Sequence, residues 1–242
     1  MRIALISDIH GNHVALKSVL QDIDRAAVDR VVCLGDVATL GPDPSSVVET
    51  LQAVGCECIM GNHDAFLLDP ALIQGYTEAA IVVETVDWCR RQLSAAQLAR
   101  LRSFQPRIEL TLNAETTLLL FHGTPRSHME NLLATTPAEE VEQMLAGYSA
   151  TVLAGGHTHI QMLRQHRGRL IVNVGSVGLP FREFVNGQAP SLLHHAEYAI
   201  IEAHPSGISV DLRRVRLDRP ALYAAVTASD IPLRAMLQAE YA

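Results

Sequence analysis

Short apolar runs alternate with helical spacings in the first quarter of the chain. Three runs have the length and composition of buried strands: 3–6, 31–34 and 56–60. Between the first two runs, residues 12–26 place apolar side chains at helical spacing. Asp43 followed by Pro44 indicates the capped start of a second helix, which ends near Val54. This alternation predicts parallel strands joined by crossover helices.

The rest of the chain is predicted to mix helices with hairpins. Residues 65–105 are predicted to be mostly helical, with a capping box at 94–97, and a second capping box at 136–139 predicts a helix to about Leu145. From about Arg219 the chain is predicted to form peripheral helices, to residue 242. Single strands are predicted at 108–112, 116–121 and 152–154, and hairpin strands at 160–163, 170–174, 198–203 and 208–215.

A single domain over residues 1–242 accounts for this pattern most simply, because no linker, low-complexity tract or internal repeat interrupts the chain. The length suits one large α/β domain, and the 48% hydrophobic content is enough for a substantial core. The first half predicts a parallel sheet and the second half predicts hairpins. Two packed sheets flanked by helices, an α/β (α+β) fold, accommodate both.

Charge and cysteine content narrow the range of functions. The chain has 19 Lys and Arg against 26 Asp and Glu, a net charge of −7, which argues against general binding to nucleic acids or membrane surfaces. The four cysteines form no CxxC pair and suit a reducing cytoplasm. The apolar run at the N-terminus is too short for a signal peptide or a membrane span. We therefore expect a soluble cytoplasmic protein.

Polar side chains of a kind that binds metals follow five of the predicted strands. In chain order the segments are Asp8-Ile9-His10, Gly35-Asp36, Gly61-Asn62-His63-Asp64, His122-Gly123 and Gly155-Gly156-His157-Thr158-His159. Because loops at the carboxyl ends of parallel strands converge, we expect these segments to meet in one place. Taken singly, each has an ordinary alternative, such as a turn for Gly35-Asp36. The combination is what indicates a site.

The residue types in these segments favour metal ions. Carboxylates, imidazoles and an amide oxygen are borderline-to-hard ligands, and no thiolate is among them. Residues two apart on an extended segment point the same way, so the D-x-H and H-x-H pairs are each expected to face one centre. The number of candidates exceeds what one ion normally uses, which favours two ions that share a bridging carboxylate. The candidate ligands are Asp8, His10, Asp36, Asn62, His122, His157 and His159.

In combination, the five segments resemble the calcineurin-like metallophosphoesterase superfamily, whose signature is D-x-H, G-D, G-N-H-[DE], H and G-H-x-H in that order. Two further stretches, GDVATLGPDP at 35–44 and NVGSVGLP at 173–180, are similar to a bacterial and archaeal phosphodiesterase branch. The resemblance implies two packed mixed β-sheets flanked by helices, in a four-layer α/β/β/α sandwich.

The resemblance also implies a role for each site residue. A hydroxide bridging two divalent ions (Mn, Fe or Zn) would attack phosphorus in line with the leaving group. His63 would protonate the leaving oxygen or stabilise phosphoryl charge. Asp64 would orient that imidazole or support the loop, with a purely structural role as a helix cap as the alternative. Asp36 would bridge the ions, with Asp8, His10 and His159 on one and Asn62, His122 and His157 on the other.

Departures from the family pattern concern the substrate side of the site. Protein Ser/Thr phosphatases usually read G-D-x-V-D-R-G, with an arginine that grips phosphate, whereas here Asp36 is followed by Val37-Ala38-Thr39-Leu40-Gly41, which disfavours that class. Substrate contacts are assigned to three residues, each of which has an ordinary surface alternative: Arg126, His128 and Arg182. Other histidines are expected to lie at the surface, outside the site: His166, His194, His195 and His204.

We therefore expect a two-metal phosphoesterase, with phosphodiesterase activity favoured, acting on a small or nucleotide-like substrate. A nucleotide pyrophosphatase or dinucleoside polyphosphate hydrolase is the nearest enzymatic alternative, and a protein phosphatase is a more distant one. Outside enzymes, the alternative is a metal-binding scaffold subunit, although such relatives tend to lose the catalytic His or the bridging Asp. No membrane binding and no stable nucleic-acid binding are expected. The sequence determines neither the physiological substrate nor the oligomeric state.

Overall fold

Two mixed five-stranded sheets form the centre of the computed structural model, which describes residues 1–185 and 189–242. The first sheet has the order β10-β9-β1-β2-β3 and the second has the order β4-β5-β6-β8-β7. In chain order the strands are β1 (Arg2–Ile6), β2 (Arg30–Cys33), β3 (Glu57–Cys58), β4 (Ile108–Thr111), β5 (Thr117–Leu120), β6 (Val152–Gly155), β7 (Met162–His166), β8 (Arg169–Asn173), β9 (His195–His204) and β10 (Gly207–Arg216).

Each sheet combines parallel and antiparallel pairs: in the first sheet the antiparallel β10–β9–β1 part adjoins the parallel β1–β2–β3 part, and in the second sheet antiparallel pairs flank a parallel centre. β1 pairs in parallel with β2, and β2 with β3, while β5, β6 and β8 form the parallel part of the second sheet. The predicted hairpins are present as β7–β8 and β9–β10. The helices are α1 (His13–Ala26), α2 (Pro44–Ala53), α3 (Asn62–Leu68), α4 (Ala80–Arg91), α5 (Ala95–Arg102), α6 (Ala138–Met144), α7 (Arg219–Ala228) and α8 (Arg234–Tyr241), with a 3-10 helix at Pro70–Gly75.

Alternating side chains on each strand divide the core into three apolar clusters. On β1, Ile3 and Leu5 join the cluster between the sheets, whereas Ala4 and Ile6 face the cluster that includes side chains of α1, α2, α7 and α8. On the second sheet, Leu119 faces outward to a third cluster, which includes side chains of α6. Both faces of each sheet are therefore covered, which explains why the central strands are apolar without alternation. The predicted α/β/β/α layering is confirmed.

Two of the three predicted helix caps are confirmed. The carboxylate of Asp43 accepts a hydrogen bond from the backbone of Ser46, and Ser94 and Gln97 cap each other reciprocally. The capping box predicted at 136–139 was wrong. The Thr136 hydroxyl accepts from the backbone N–H of Leu133 at 2.9 Å, in the turn before α6, so it is not available to the helix that follows.

Two other local predictions also need correction. The strand predicted at 56–60 is shorter in the structure, where β3 covers Glu57–Cys58; beyond it Ile59 still donates its backbone N–H to Cys33, and Met60 donates to Gln105 on the other side. His166 was expected at the surface but is buried, with its Nε2 atom 2.9 Å from a carboxylate oxygen of Glu142. In the described part of the chain, no helix is both long enough and apolar enough to cross a membrane.

We predict that Leu118→Ala lowers the free energy of unfolding by about 2–5 kcal/mol, because it leaves a cavity in the cluster between the sheets. Leu118 is 0% exposed, whereas Leu163 on β7 is 52% exposed and provides a matched control. Leu163→Ala should change stability by less than about 0.5 kcal/mol. Denaturant titration followed by circular dichroism measures both values. Equal effects of the two substitutions would contradict this assignment of the core.

Candidate metal centre

Hydrogen bonds join the strand-end segments directly to one another. The backbone N–H groups of Asp8 and His10 donate to the carbonyls of Gly35 and Asp36, each at 3.0 Å. On the second sheet, Gly156 donates its backbone N–H to the carbonyl of His122 at 2.8 Å. The two sheets are linked where the backbone N–H of His157 donates to Oδ2 of Asp8 at 3.0 Å. The expected convergence of the loops is therefore present.

The backbone within these segments is left-handed at five of the seven candidate ligands. The sequence predicted extended D-x-H and H-x-H pairs, and this geometry was wrong. A left-handed conformation costs a residue other than glycine about 1–3 kcal/mol and is found mainly where function requires it. The φ angles are 53° at Asp8, 48° at His10, 57° at Asp36, 69° at His157 and 58° at His159.

The candidate ligands form two buried clusters with Asp36 between them. Within each cluster the potential ligand atoms lie within 4.8 Å of one another. Oδ2 of Asp36 is 3.4 Å from Nε2 of His122 and 3.7 Å from Nε2 of His10, so it lies within reach of both clusters. Asn62 places its Oδ1 atom 3.0 Å from Nε2 of His122. The first cluster contains Asp8, His10 and His159, and the second contains Asp36, His122 and His157.

Backbone carbonyls determine which ring nitrogen carries the proton. Nδ1 of His122 lies 2.7 Å from the carbonyl oxygen of Leu34, and Nδ1 of His159 lies 2.6 Å from that of Leu179. A carbonyl can only accept, so each Nδ1 is protonated, and each Nε2 is left to present a lone pair to a bound cation or to carry a proton when no cation is bound. In the second cluster this lone pair faces Oδ1 of Asn62, which is also an acceptor. Acceptors that face each other fit a cation held between them.

The negative charge of the candidate ligands also favours bound cations. Asp8 and Asp36 are buried carboxylates, and within residues 1–185 and 189–242 neither pairs with a Lys or Arg side chain. Oδ1 of Asp8 is buried with no hydrogen-bond partner in the same residues. Burial by itself would lower the pKa of His122, but the charges of Asp36 and Asp8 outweigh it and raise that pKa to about 9. The side chains present therefore fit divalent cations.

Asp64 supports the loop that carries Asp36. Its carboxylate accepts backbone N–H groups from Asp36 at 2.8 Å, from Val37 at 2.9 Å and from Gly61 at 3.0 Å. Burial, followed by the charge of Asp36, raises the pKa of Asp64 to about 7. Of the two roles that the resemblance implied, loop support matches these contacts and orientation of His63 does not. The helix-cap alternative also matches, since Gly61 is the N-cap residue of α3.

His63 follows Asn62 on the first turn of α3 and lies beside the ligand clusters. Its backbone N–H donates to Oδ1 of Asp36 at 2.8 Å, and its ring meets the His10 ring edge-to-face at 5.1 Å. Nδ1 of His63 is buried and has no hydrogen-bond partner in the part of the chain that the structure describes. The imidazole is therefore held next to the candidate metal centre, and no group in the described residues hydrogen-bonds to its Nδ1 atom.

The three assigned substrate residues are placed differently from one another. The guanidinium of Arg126 is held by Glu130, with Nε 2.9 Å from both carboxylate oxygens, and by the carbonyl of Gln143. Arg182 is exposed, and in the described residues its side chain makes no hydrogen bond or ion pair with the candidate ligands. His128 is half-buried, and its pKa is lowered first by burial and then by the charge of His122. Of the three residues, His128 is the one whose pKa is affected by the charge of a candidate ligand, His122.

The sequence assigned no role to several supporting groups, although Thr39 and Ser176 lie in the two stretches that are similar to the phosphodiesterase branch. The Thr39 hydroxyl lies 3.1 Å from Nδ1 of His10, and the Ser176 hydroxyl donates to the carbonyl of Asp8 at 2.7 Å. Hydroxyl residues are common in loops, and a carbonyl partner such as that of Leu34 can belong to any residue type. The NVGSVGLP resemblance was the one available sign that the segment containing Ser176 matters.

Comparison with known proteins identifies the family of this chain. The family model of the calcineurin-like phosphoesterase superfamily domain matches residues 1–197. The chain belongs to the calcineurin-like phosphoesterase superfamily. The crystal structure of a metallophosphoesterase from Sphaerobacter thermophilus is similar to this calcineurin-like phosphoesterase, with 25% identity and a TM-score of 0.75. That similarity covers 100% of this chain and 98% of the other.

Two curated proteins are also similar to this calcineurin-like phosphoesterase. An uncharacterized protein from Methanocaldococcus jannaschii is 25% identical over 236 residues, which cover 95% of this chain and 93% of that protein. A symmetrical bis(5'-nucleosyl)-tetraphosphatase from Nitrosomonas europaea is 27% identical over 179 residues, which cover 69% of this chain and 64% of that protein.

We predict that Gly61→Ala weakens metal binding, because an added Cβ would overlap Oδ1 of Asp36 and displace the carboxylate that lies between the two clusters. Disturbed support of a metal ligand typically lowers affinity about 10–100-fold. Gly75→Ala is the control, since its Cβ would meet nothing within 4 Å. Equilibrium dialysis against Mn²⁺ or Zn²⁺ measures the affinities. Unchanged binding in Gly61→Ala would contradict the central place of Asp36.

We further predict that Asp64→Asn lowers the free energy of unfolding of the metal-free protein by about 1.5–3 kcal/mol, because an amide cannot accept all three buried N–H groups. Asp69→Asn provides the comparison, since this exposed carboxylate accepts one N–H, from Ala71. Its effect should stay below about 1 kcal/mol. Chemical denaturation measures both, and a larger loss in Asp69→Asn would rule out the proposed loop support.

Proposed function

We propose that this calcineurin-like phosphoesterase is a dinuclear metal-dependent phosphodiesterase acting on small or nucleotide-like phosphodiesters. The main support is the position of Asp36, whose Oδ2 atom lies within 3.7 Å of ring nitrogens from both ligand clusters. A carboxylate in that position suits two ions that share one ligand. Family membership supports the hydrolysis of phosphoesters in general, and the diester preference is our own addition.

The ligands would be distributed as the resemblance implies. Asp36 would serve both ions. Bound divalent ions supply an acidified water molecule as nucleophile and offset the negative charge of the phosphoryl group. Mn, Fe and Zn all suit this mixture of oxygen and imidazole ligands. The first ion would be held by Asp8, His10 and His159, and the second by Asn62, His122 and His157.

His63 is the catalytic residue in this proposal. Its imidazole is adjacent to the ligand clusters without belonging to either, and its Nδ1 atom is unpartnered among the described residues. An N–H of this ring would donate to the ester oxygen that leaves phosphorus, which lowers the free energy of the departing alkoxide. The hydrogen bond from its backbone N–H to Asp36 fixes the position of His63 relative to the candidate ligands.

The scarcity of free cationic side chains favours diesters over monoesters. A monoester carries more negative charge than a diester and is usually held by additional Arg or Lys side chains. Here the guanidinium of Arg126 is occupied by Glu130, and in the described residues the side chain of Arg182 makes no hydrogen bond or ion pair with the candidate ligands. Leu40 stands at the position of the arginine expected of a protein phosphatase, which argues against that function.

A second candidate function is the hydrolysis of dinucleoside polyphosphates. The similarity to the Nitrosomonas europaea tetraphosphatase favours it, over 64% of that protein. Both candidates use the same metal centre and differ in the group that leaves. Assay of diadenosine tetraphosphate alongside a simple diester separates them, since a tetraphosphatase should favour the former by a large factor in kcat/KM.

We predict that the metal-stripped protein regains hydrolysis of bis(p-nitrophenyl) phosphate when Mn²⁺, Zn²⁺ or Fe²⁺ is restored. His63→Ala should then lower kcat by about 10²–10⁴-fold, the usual contribution of a general acid, without loss of bound metal. His204→Ala is the matched control, because His204 lies on the β9–β10 hairpin and bonds to Ser206. Release of p-nitrophenolate measures turnover.

Three outcomes would count against the proposal. Full activity of metal-loaded His63→Ala would remove His63 from the mechanism. Hydrolysis of p-nitrophenyl phosphate in strong preference to the diester would replace phosphodiesterase with phosphomonoesterase activity. Metal binding without turnover of the diester, the monoester or diadenosine tetraphosphate would favour the scaffold alternative.

A further inference from the structure

A continuous row of five rings crosses one side of the metal centre. The Phe181 ring lies on the His159 ring with centroids 4.2 Å apart, and His159 lies 4.8 Å from His10. The row continues from His10 to His63 at 5.1 Å and from His63 to Tyr76 at 5.4 Å. The middle three rings are imidazoles, and the two ends are carbocyclic. The ends therefore offer apolar ring surface at the border of the site.

Tyr76 is the end of the row that is open to solvent. It follows the 3-10 helix Pro70–Gly75, and its backbone N–H donates to the carbonyl of Ile73 at 2.9 Å. Its ring packs edge-to-face on His63 and lies 5.3 Å from Phe66. Tyr76 nevertheless remains 44% exposed, whereas His63 is 4% exposed. The ring is thus held from behind while much of its surface is free.

The other end of the row is less available. Phe181 is half-buried and packs against the large apolar cluster beneath the helices. Its backbone N–H donates to the carbonyl of His159 at 3.1 Å, which fixes it to a candidate ligand. Phe181 therefore has a structural use that explains its position. Tyr76 packs on His63 and Phe66 but, unlike Phe181, leaves a large part of its surface open to solvent.

The hydroxyl group of Tyr76 is close enough to the centre to feel its charges. Burial, followed by the charges of Asp36 and Asp8, raises the pKa of Tyr76 to about 12. The phenol stays protonated at neutral pH, so it does not add a negative charge to the approach of an anionic phosphoester. An apolar ring and a neutral hydroxyl are thus presented beside His63.

We propose that Tyr76 is a specificity-determining residue whose ring packs against the leaving group of the substrate. This assignment rests on the proposed function, in which His63 acts at the leaving oxygen, because the group attached to that oxygen must then lie beside the rings that flank His63. A flat aromatic group makes the best use of an exposed, fixed tyrosine ring. The substrate class is therefore phosphodiesters with an aryl or nucleoside leaving group, in preference to small aliphatic ones.

The test uses the metal-loaded enzyme with bis(p-nitrophenyl) phosphate as substrate and two competitive inhibitors. Phenyl methylphosphonate and ethyl methylphosphonate both carry a single negative charge, as a diester does, and differ in the aromatic group. Tyr76→Ala should raise the inhibition constant of the phenyl compound about threefold to tenfold, the range for an aromatic contact. The constant for the ethyl compound should change by less than about twofold.

Two further variants separate the ring from other effects. Tyr76→Phe keeps the ring and should retain the preference for the phenyl compound. Tyr223→Ala removes a tyrosine of similar exposure, 41%, from the separate helix α7 and should leave both constants unchanged. Equal weakening of both inhibitors in Tyr76→Ala would mean that Tyr76 only supports His63, and would overturn the specificity role, as would no weakening of either.

Failure of the two proposals looks different in these experiments. Wild-type enzyme that turns over no substrate with any metal refutes the proposed function and, with it, the assignment of Tyr76. The assignment of Tyr76 alone is refuted if two results occur together. The wild-type enzyme shows metal-dependent turnover, and Tyr76→Ala has the same ratio of the phenyl to the ethyl inhibition constant as wild type.

Discussion

The buried charge of Asp8 and Asp36 is the constraint on which the centre depends. Two carboxylates removed from water need positive charge nearby, and in the described residues no Lys or Arg side chain supplies it, so that charge comes from the surrounding imidazoles or from bound cations. The rings of His122 and His159 are fixed by the carbonyls of Leu34 and Leu179, which leaves their Nε2 atoms facing the carboxylates of Asp36 and Asp8. This environment favours the binding of cations. The surrounding loops hold the two carboxylates close together despite the repulsion between their negative charges.

Much of the nearby structure serves to hold that arrangement. The ligand loops are joined by hydrogen bonds between their backbones, and Asp64 secures the loop of Asp36 through three N–H groups. Five ligands sit in left-handed backbone conformations that a free chain would avoid. The packed sheets stabilise this strain, because a shift of one loop would also break its contacts with the next. The geometry of the candidate metal centre therefore depends on the packing of the two-sheet core.

The proposed chemistry follows from what adjoins the charged centre. His63 borders both ligand clusters and leaves a ring nitrogen unpartnered among the described residues, which suits a group that meets the leaving oxygen. Tyr76 is packed behind this imidazole and is open to solvent. His63 and Tyr76, to which we assign the leaving oxygen and the leaving group, are thus adjacent and come from one stretch of chain, 63–76. Selectivity can change there while the ligands stay the same.

Most of the layer structure and all seven candidate ligands could be read from the sequence, because these depend on local properties. A strand with two buried faces must be apolar, and a ligand must have a metal-binding side chain, as His122 and Asp36 do. What the sequence could not provide was the role of groups whose partners are distant along the chain. The carboxylate of Asp64, the Thr39 hydroxyl and the Leu34 carbonyl acquire their use from packing.

The errors have the same origin. His166 is polar and was placed at the surface, but the fold buries it against Glu142, and the Thr136 hydroxyl bonds within a turn rather than to the helix after it. The left-handed conformations of the ligand loops and the exposed ring of Tyr76 likewise depend on several packed loops at once. The sequence determined which side chains were available. Tertiary structure alone decided which of them meet, because the distance between remote residues is set by the packing of whole elements and not by any local pattern.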